Sequence, residues 1–122
     1  MPMVKHFTEL MVWQKADALA HQVFDLTDSF PRKYLVDLTS QLRRAALSIP
    51  TNLAEGSASS STKELLQFVS IARRSVRETQ YLLQFALRRE LLPVAQYETL
   101  TGAYEEVHRM LNGLTRSLRD PQ

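Results

Sequence analysis

A chain of 122 residues is about one small domain, and it can bury roughly two-thirds of its unfolded surface, enough for one core without a covalent staple. Cysteine is absent, which excludes disulfides, thiolate metal sites and cysteine nucleophiles. Three glycines and five prolines are too few turn residues for a many-stranded β fold, and a chain with 44% apolar residues is too apolar for disorder. The net charge of +2 is unevenly placed: residues 61–92 carry six Lys/Arg against three Asp/Glu, whereas residues 1–60 carry six against six and residues 93–122 three against four. No apolar run approaches the ~18 residues of a membrane helix. The first residues, MPMVKHFTELMVW, have no signal-peptide apolar region. The expectation is a single cytoplasmic domain over residues 1–122, with its core at about 8–119 and no membrane contact.

Four helices are predicted in chain order. The first covers residues 10–29, where Val12, Ala16, Leu19, Val23, Leu26 and Phe30 alternate spacings of four and three, the period of one helix face. Phe30-Pro31 ends it, because a residue before proline is pushed out of the helical region. The second covers residues 37–55, with Asp37 as N-cap, a stripe of Leu38, Leu42, Ala45, Ile49 and Leu53, and Gly56 as a left-handed residue just past its end. Pro50 removes one backbone bond inside it. Either the helix kinks near Ala46 and Leu47, or it stops at Ser48 and restarts.

Ser61-Thr62-Lys63-Glu64 has the form of a capping box, so a third helix starts there, with no breaker until Pro93. Its core stripe is Leu65, Val69, Ala72, Val76, Thr79, Leu83 and Ala86. The fourth covers residues 93–118, with Pro93 as its first residue. Tyr97, Leu100, Tyr104, Val107, Leu111, Leu114 and Leu118 keep the three-four spacing throughout. Four amphipathic helices with short connections predict an all-α, antiparallel up-down-up-down four-helix bundle with a proline kink in the second helix.

The third helix carries a second pattern. At 100° per residue, Lys63, Gln67, Ser70, Arg74, Arg77, Tyr81, Gln84 and Arg88 share an arc of roughly 100° opposite the core stripe, with Arg73 beside it. The arc holds four cations and no carboxylate. A line of guanidiniums can follow a phosphate backbone, with Arg binding phosphate bidentately, and Tyr81 can stack on a base. Against this stands the plain solvated helix face, where Lys and Arg are common.

The second helix has a polar stripe of Gln41, Arg44, Ser48, Asn52 and Glu55. Ser48 and Asn52 are short hydrogen-bonding residues that suit a packed, satisfied setting, one use being to cover the carbonyl that Pro50 orphans. Arg44 and Glu55 are ~16 Å apart along the axis, too far to pair with each other. The stripe is read as structural or interfacial rather than as a ligand site. Trp13, Phe24, Leu66, Phe68 and Phe85 fall at the edges of the core faces or off them, which points to homo-oligomerisation.

An enzyme reading finds little. Glu105-x-x-His108 matches one element of a di-iron bundle, but that chemistry needs a second copy and two further glutamates. No glycine-rich phosphate loop and no nucleophile-elbow serine is present. No catalytic residue, metal or cofactor is expected.

The run LTSQLRRAALSIPTNLAEG over residues 38–56 resembles the signature of the four-helix-bundle proteins encoded in intervening sequences of bacterial 23S ribosomal RNA genes. LMVWQKA at residues 10–16, Phe30-Pro31, and Ile71-Ala72-Arg73 with Ser75 and Glu78 resemble further motifs of that family. The likeness spans about residues 7–118. It implies an up-down-up-down bundle and, in known members, a five-fold ring with a central channel, hence a homopentamer. It also implies similarity to the accessory protein of diversity-generating retroelements, which binds nucleic acid through a basic surface and partners a reverse transcriptase. The family has no established catalytic residues. Two positions depart from its pattern: Arg74 and Asp37 stand where members more often have glycine, and Arg74 must then point outward or widen a helix contact.

The resulting expectation is a non-enzymatic oligomer that binds RNA or single-stranded nucleic acid through Arg74, Arg77 and Arg88, with Lys63, Arg73 and Tyr81 in support. Arg44, Ser48, Pro50, Asn52, Glu55 and Gly56 are structural or interfacial. The alternative is a scaffold for a protein partner such as a reverse transcriptase, with the arginines in intersubunit salt bridges.

Overall fold

The computed structural model describes residues 6–120. It holds four helices, α1 (Met11–Thr27), α2 (Ser40–Ser57), α3 (Thr62–Arg88) and α4 (Val94–Arg119), and no strand among the described residues. Consecutive helices pack on each other and α1 closes against α4. Contacts along the α2–α3 and α3–α4 seams run in opposite chain order: Ser48 meets Ser75 while the later Gly56 meets the earlier Phe68, and Arg77 meets Glu105 while Gln80 meets the carbonyl of Thr101.

The three-four stripes face inward. Every predicted stripe residue of α1, α2 and α3 is buried, and in α4 only Tyr97 and Leu114 remain partly exposed. These side chains merge into one apolar cluster, each large member contributing about 1.5–3 kcal/mol on leaving water. No described helix is long and apolar enough to cross a membrane.

The helix ends depart from the sequence reading in instructive ways. α1 stops at Thr27, because Ser29 and Phe30 donate to carbonyls only three residues back and wind the chain off the helix before Pro31. Asp37 is not the N-cap of α2. The chain turns helical earlier, through a 3-10 turn at Arg32–Tyr34 and a π turn at Leu35–Thr39, so the backbone around Asp37 is already wound and its carboxylate accepts only from the neighbouring Leu38 amide at 2.6 Å.

Gly56 is not a left-handed cap, and α2 runs through it. Its need for glycine is contact: a Cβ there would sit 2.9 Å from Phe68 Cβ and 3.0 Å from Leu65 Cδ1 on α3. The left-handed residue is instead Glu90, at φ 61°. It ends α3 in a Schellman motif, with Leu91 N–H donating to Ala86 and Glu90 N–H to Leu87, short of the predicted end at Pro93. Pro93 is the N-cap of α4 rather than its first residue. Ser61 caps α3 as predicted, its Oγ accepting from Glu64 N–H at 3.1 Å, but the returning bond of the box lands one residue early, Glu64 Oε1 accepting from Ser60 N–H at 3.2 Å.

Helix α2 is unbroken through Pro50, which removes the alternative of a stop at Ser48 and a restart. The polar residues expected to cover the Ala46 carbonyl do other work. Ser48 Oγ meets Ser75 Oγ at 2.9 Å, and the Asn52 amide donates to the Ser48 carbonyl at 2.8 Å and to its hydroxyl at 3.0 Å. Trp13 Nε1 donates to the carbonyl of Pro50 at 3.2 Å, tying α1 to that point of α2.

Four of the five aromatic and aliphatic residues expected at the surface are half-buried within the chain itself. Trp13 packs edge-on to Phe7, Phe24 lies under the Arg43 guanidinium, and Phe68 fills the notch over Gly56. Only Phe85 is exposed among them.

Candidate nucleic-acid interface

All eight residues of the predicted arc on α3 are exposed. The amphipathic pattern explains this, since burying Leu65, Val69, Ala72, Val76 and Leu83 turns the opposite side outward. Lys63, Arg74 and Arg88 make no ion pair among the described residues. Arg74, at the family's usual glycine position, projects into solvent rather than into a helix contact.

Arg77 differs from these three. Its Nη1 donates at 2.7 Å to Glu105 Oε1 on α4 and at 2.7 Å to Gln80 Oε1, so a carboxylate already shares its charge. The arc lacks acids only when α3 is read alone. Arg73 also leaves the line, half-buried and near His108 of α4, its Nε enclosed without a hydrogen-bond partner among the described residues. The free cationic run is therefore Lys63, Arg74 and Arg88, narrower than the sequence suggests.

At the seam, the hydrogen bond from Arg77 and then that from Gln80 push the Glu105 carboxyl down to about 2. Burial, then the charge of Arg77, hold the His108 imidazole below its ordinary range. Arg77 and Asn112 both place donors 3.3 Å from His108 Nδ1, an arrangement that suits a neutral ring protonated on Nε2. The Glu105-x-x-His108 pair thus faces an arginine. No group of three or more His, Cys, Asp or Glu that could hold a metal occurs among the described residues.

The polar stripe of α2 lines an open groove of about 600 Å³ beside α3, with Gln41, Arg44, Ser48, Thr51 and Asn52 on one wall and Glu78 on the other. Arg44 and Glu55 are exposed and make no ion pair among the described residues. Within the stripe, Ser48 and Asn52 are hydrogen-bonded to each other, and Ser48 also to the buried Ser75 of α3. Nothing in the α2 pattern alone indicates Ser75 as a partner, because it comes from the neighbouring helix.

Where α3 ends, Tyr81 and Phe85, both singled out in the sequence, are joined by two residues that were not, Arg89 and Tyr34. Tyr81 and Phe85 are 58% and 43% exposed, with ring centroids 6.4 Å apart. Beside them, Arg89 donates from Nε and Nη2 to the hydroxyl of Tyr34, both at 3.2 Å. Tyr34 comes from the 3-10 turn before α2, and no spacing within α3 points to it. The only signal was the presence of aromatic residues beside basic ones.

These features define a four-helix protein with an exposed cationic helix face. The chain belongs to the 23S rRNA-intervening sequence protein family, whose sequence profile matches residues 8–113. Its fold is similar to a crystal structure of a protein of unknown function from the S23 ribosomal protein family of Bacteroides thetaiotaomicron VPI-5482. The two are 23% identical, with a TM-score of 0.80 over 86% of this chain and 95% of that one. No curated protein matches the chain.

Proposed function

We propose that the protein is a non-enzymatic, cytoplasmic nucleic-acid binder, with RNA as its ligand, that contacts phosphates through the exposed face of α3. The observation that carries this reading is that Lys63, Arg74 and Arg88, along one exposed helix face, make no ion pair among the described residues. Three cations with no acidic partner raise the local potential, and a polyanion that lies along them releases its own counterions. The contact is largely independent of sequence, because phosphates carry none. Arg77 adds only what Glu105 leaves it, and Arg73 acts from the rim.

Assembly into a homo-oligomer belongs to the same reading, as the homopentamer that the family resemblance implies. Arg44 and Glu55, charged and without an ion pair among the described residues, are the groups that a second copy would satisfy. An accessory role beside a protein partner such as a reverse transcriptase is the rival, with the α3 arginines spent on salt bridges between subunits.

A titration of labelled single-stranded RNA at several salt concentrations tests the reading. Three phosphate contacts per protomer predict a log–log slope near −2. Arg74→Glu and Arg88→Glu should weaken binding and flatten that slope. Affinity unchanged in both variants, or an arc hidden inside the particle whose mass light scattering reports, would overturn it.

A further inference from the structure

We infer that the cationic line of α3 leads into a base-holding cleft formed by Tyr81, Phe85, Arg89 and Tyr34, so that the bound nucleic acid is unpaired at that end. This rests on the phosphate-binding reading above and extends it from the backbone to the bases.

Two adjoining grooves meet at this point. One, about 400 Å³, is lined by Tyr34, Leu38, Tyr81, Phe85 and Arg89 among others. The second, about 390 Å³, is lined by Tyr81, Gln84, Phe85, Arg88 and Arg89. Tyr81, Phe85 and Arg89 are common to both. The Tyr81 and Phe85 rings are inclined at 56°, so they offer separate faces and do not stack on each other. An aromatic face of this kind rewards any base, since every base has a π face, but only one that is not already stacked inside a duplex.

The charge around the rings suits the same occupant. Arg89 is held in place by a neutral hydroxyl instead of a carboxylate, its guanidinium carbon 6.0 Å from the Tyr34 ring centroid. It is therefore positioned without being neutralised. Arg88, one residue earlier, also lacks an acidic partner among the described residues. Asp37, the acid on the rim of the first groove, already accepts from the Leu38 amide. Two cations beside two exposed rings, Arg88 on the helix face of Lys63 and Arg74 and Arg89 just past the helix end, match a sugar-phosphate strand with its bases turned toward the protein.

The test compares a short oligouridylate with a blunt RNA duplex of equal length, by fluorescence anisotropy at several salt concentrations. The single strand should bind more tightly. Tyr81→Ala and Phe85→Ala should each weaken it by about five- to 150-fold, the range that aromatic stacking on a base carries, with the salt slope unchanged because no phosphate contact is lost. Tyr81→Phe should keep the affinity, whereas Arg89→Gln should flatten the slope by about 0.7. Circular dichroism of each variant, which should match the parent, confirms that the exposed side chains were removed from a folded chain.

If the ring variants bind like the parent while Arg74→Gln still weakens binding and flattens the slope, the cleft is overturned and the phosphate face stands. If neither RNA binds the parent, both fall. A drop in oligomer mass in Tyr81→Ala or Phe85→Ala would also overturn the cleft, because it would put the rings in a contact between copies.

Discussion

Arg77 on α3 and Glu105 on α4 share one hydrogen-bonded ion pair at 2.7 Å, and Gln80 donates to the same carboxylate oxygen at 3.2 Å. These bonds hold the Glu105 carboxyl at about 2 against an ordinary 4.5. A carboxylate depressed in the folded state stabilises the fold above its unfolded pKa, and that contribution is lost as pH falls through the folded one. The two side chains are 52% and 42% exposed, so water screening reduces the effect to about 0.5–1 kcal/mol. Glu105→Gln should therefore lower the urea unfolding free energy by about that amount at neutral pH. The gap between parent and variant should close as pH falls from about 4.5 to about 2. A gap that persists at the acid end would show that the loss is one of packing.

The glycines of α2 and α4 should respond in opposite directions to the same substitution. At Gly56 a new Cβ meets Phe68 Cβ at 2.9 Å, an atom one bond from the α3 backbone that cannot swing away. Gly56→Ala should separate α2 from α3 and destabilise the protein by about 1–2 kcal/mol, even after the helix-propensity gain. At Gly102 nothing lies within 4 Å, so Gly102→Ala keeps the full benefit of a less flexible unfolded chain, about 0.5–1 kcal/mol. Denaturant midpoints measure both. A stabilised Gly56→Ala would mean that the α2–α3 seam yields to the added methyl group.

This pair also marks what was legible in the sequence. Helix faces were, because burial of Val69, Ala72, Val76 and Leu83 follows from spacing along one element and needs no knowledge of its neighbours. The exposed position of Lys63, Arg74 and Arg88 followed in the same way. What spacing could not supply was anything set by a second helix: the contact that requires Gly56, the carboxylate that occupies Arg77, the Ser75 hydroxyl against Ser48, and Tyr34 beneath Arg89. Backbone conformation was equally hidden, since neither the wound turns before α2 nor the left-handed Glu90 carries a residue type that announces it.

Glu90 is itself a point of strain. A side chain at φ 61° crowds its Cβ against the following carbonyl, costing roughly 1–2 kcal/mol relative to a helical residue. Glycine avoids that crowding. Glu90→Gly should raise stability by about 0.5–1 kcal/mol without moving α3 or α4, read as a higher melting temperature with an unchanged helical spectrum. A lower melting temperature would mean that the Glu90 carboxylate contributes more than its backbone costs.

Tyr104 is fully buried in the core and its hydroxyl has no hydrogen-bond partner among the described residues, while burial pushes its phenol well above the ordinary range. A buried hydroxyl that gives up water and gains nothing is unfavourable by about 1–3 kcal/mol. Tyr104→Phe keeps the ring and removes that penalty, so its denaturant midpoint should rise by about 1 kcal/mol equivalent. A fall would reveal a partner that the hydroxyl finds in the assembled protein.

The Arg77–Glu105 pair also sets an order among the phosphate contacts. Arg74 makes no ion pair among the described residues, so Arg74→Gln should remove one full contact and flatten the salt slope for RNA by about 0.7. Arg77→Gln should flatten it less, since Glu105 already holds that guanidinium and would itself be left facing the phosphates. Glu105→Gln then acts in the reverse sense. It frees Arg77 and removes a repulsive charge, so affinity should rise and the slope should steepen by up to about 0.7. A charge-removing variant that loses stability yet binds RNA more tightly is hard to explain by general damage to the fold. If Glu105→Gln binds RNA as the parent does, the strand does not pass over the α3–α4 seam and the footprint narrows to Lys63, Arg74 and Arg88.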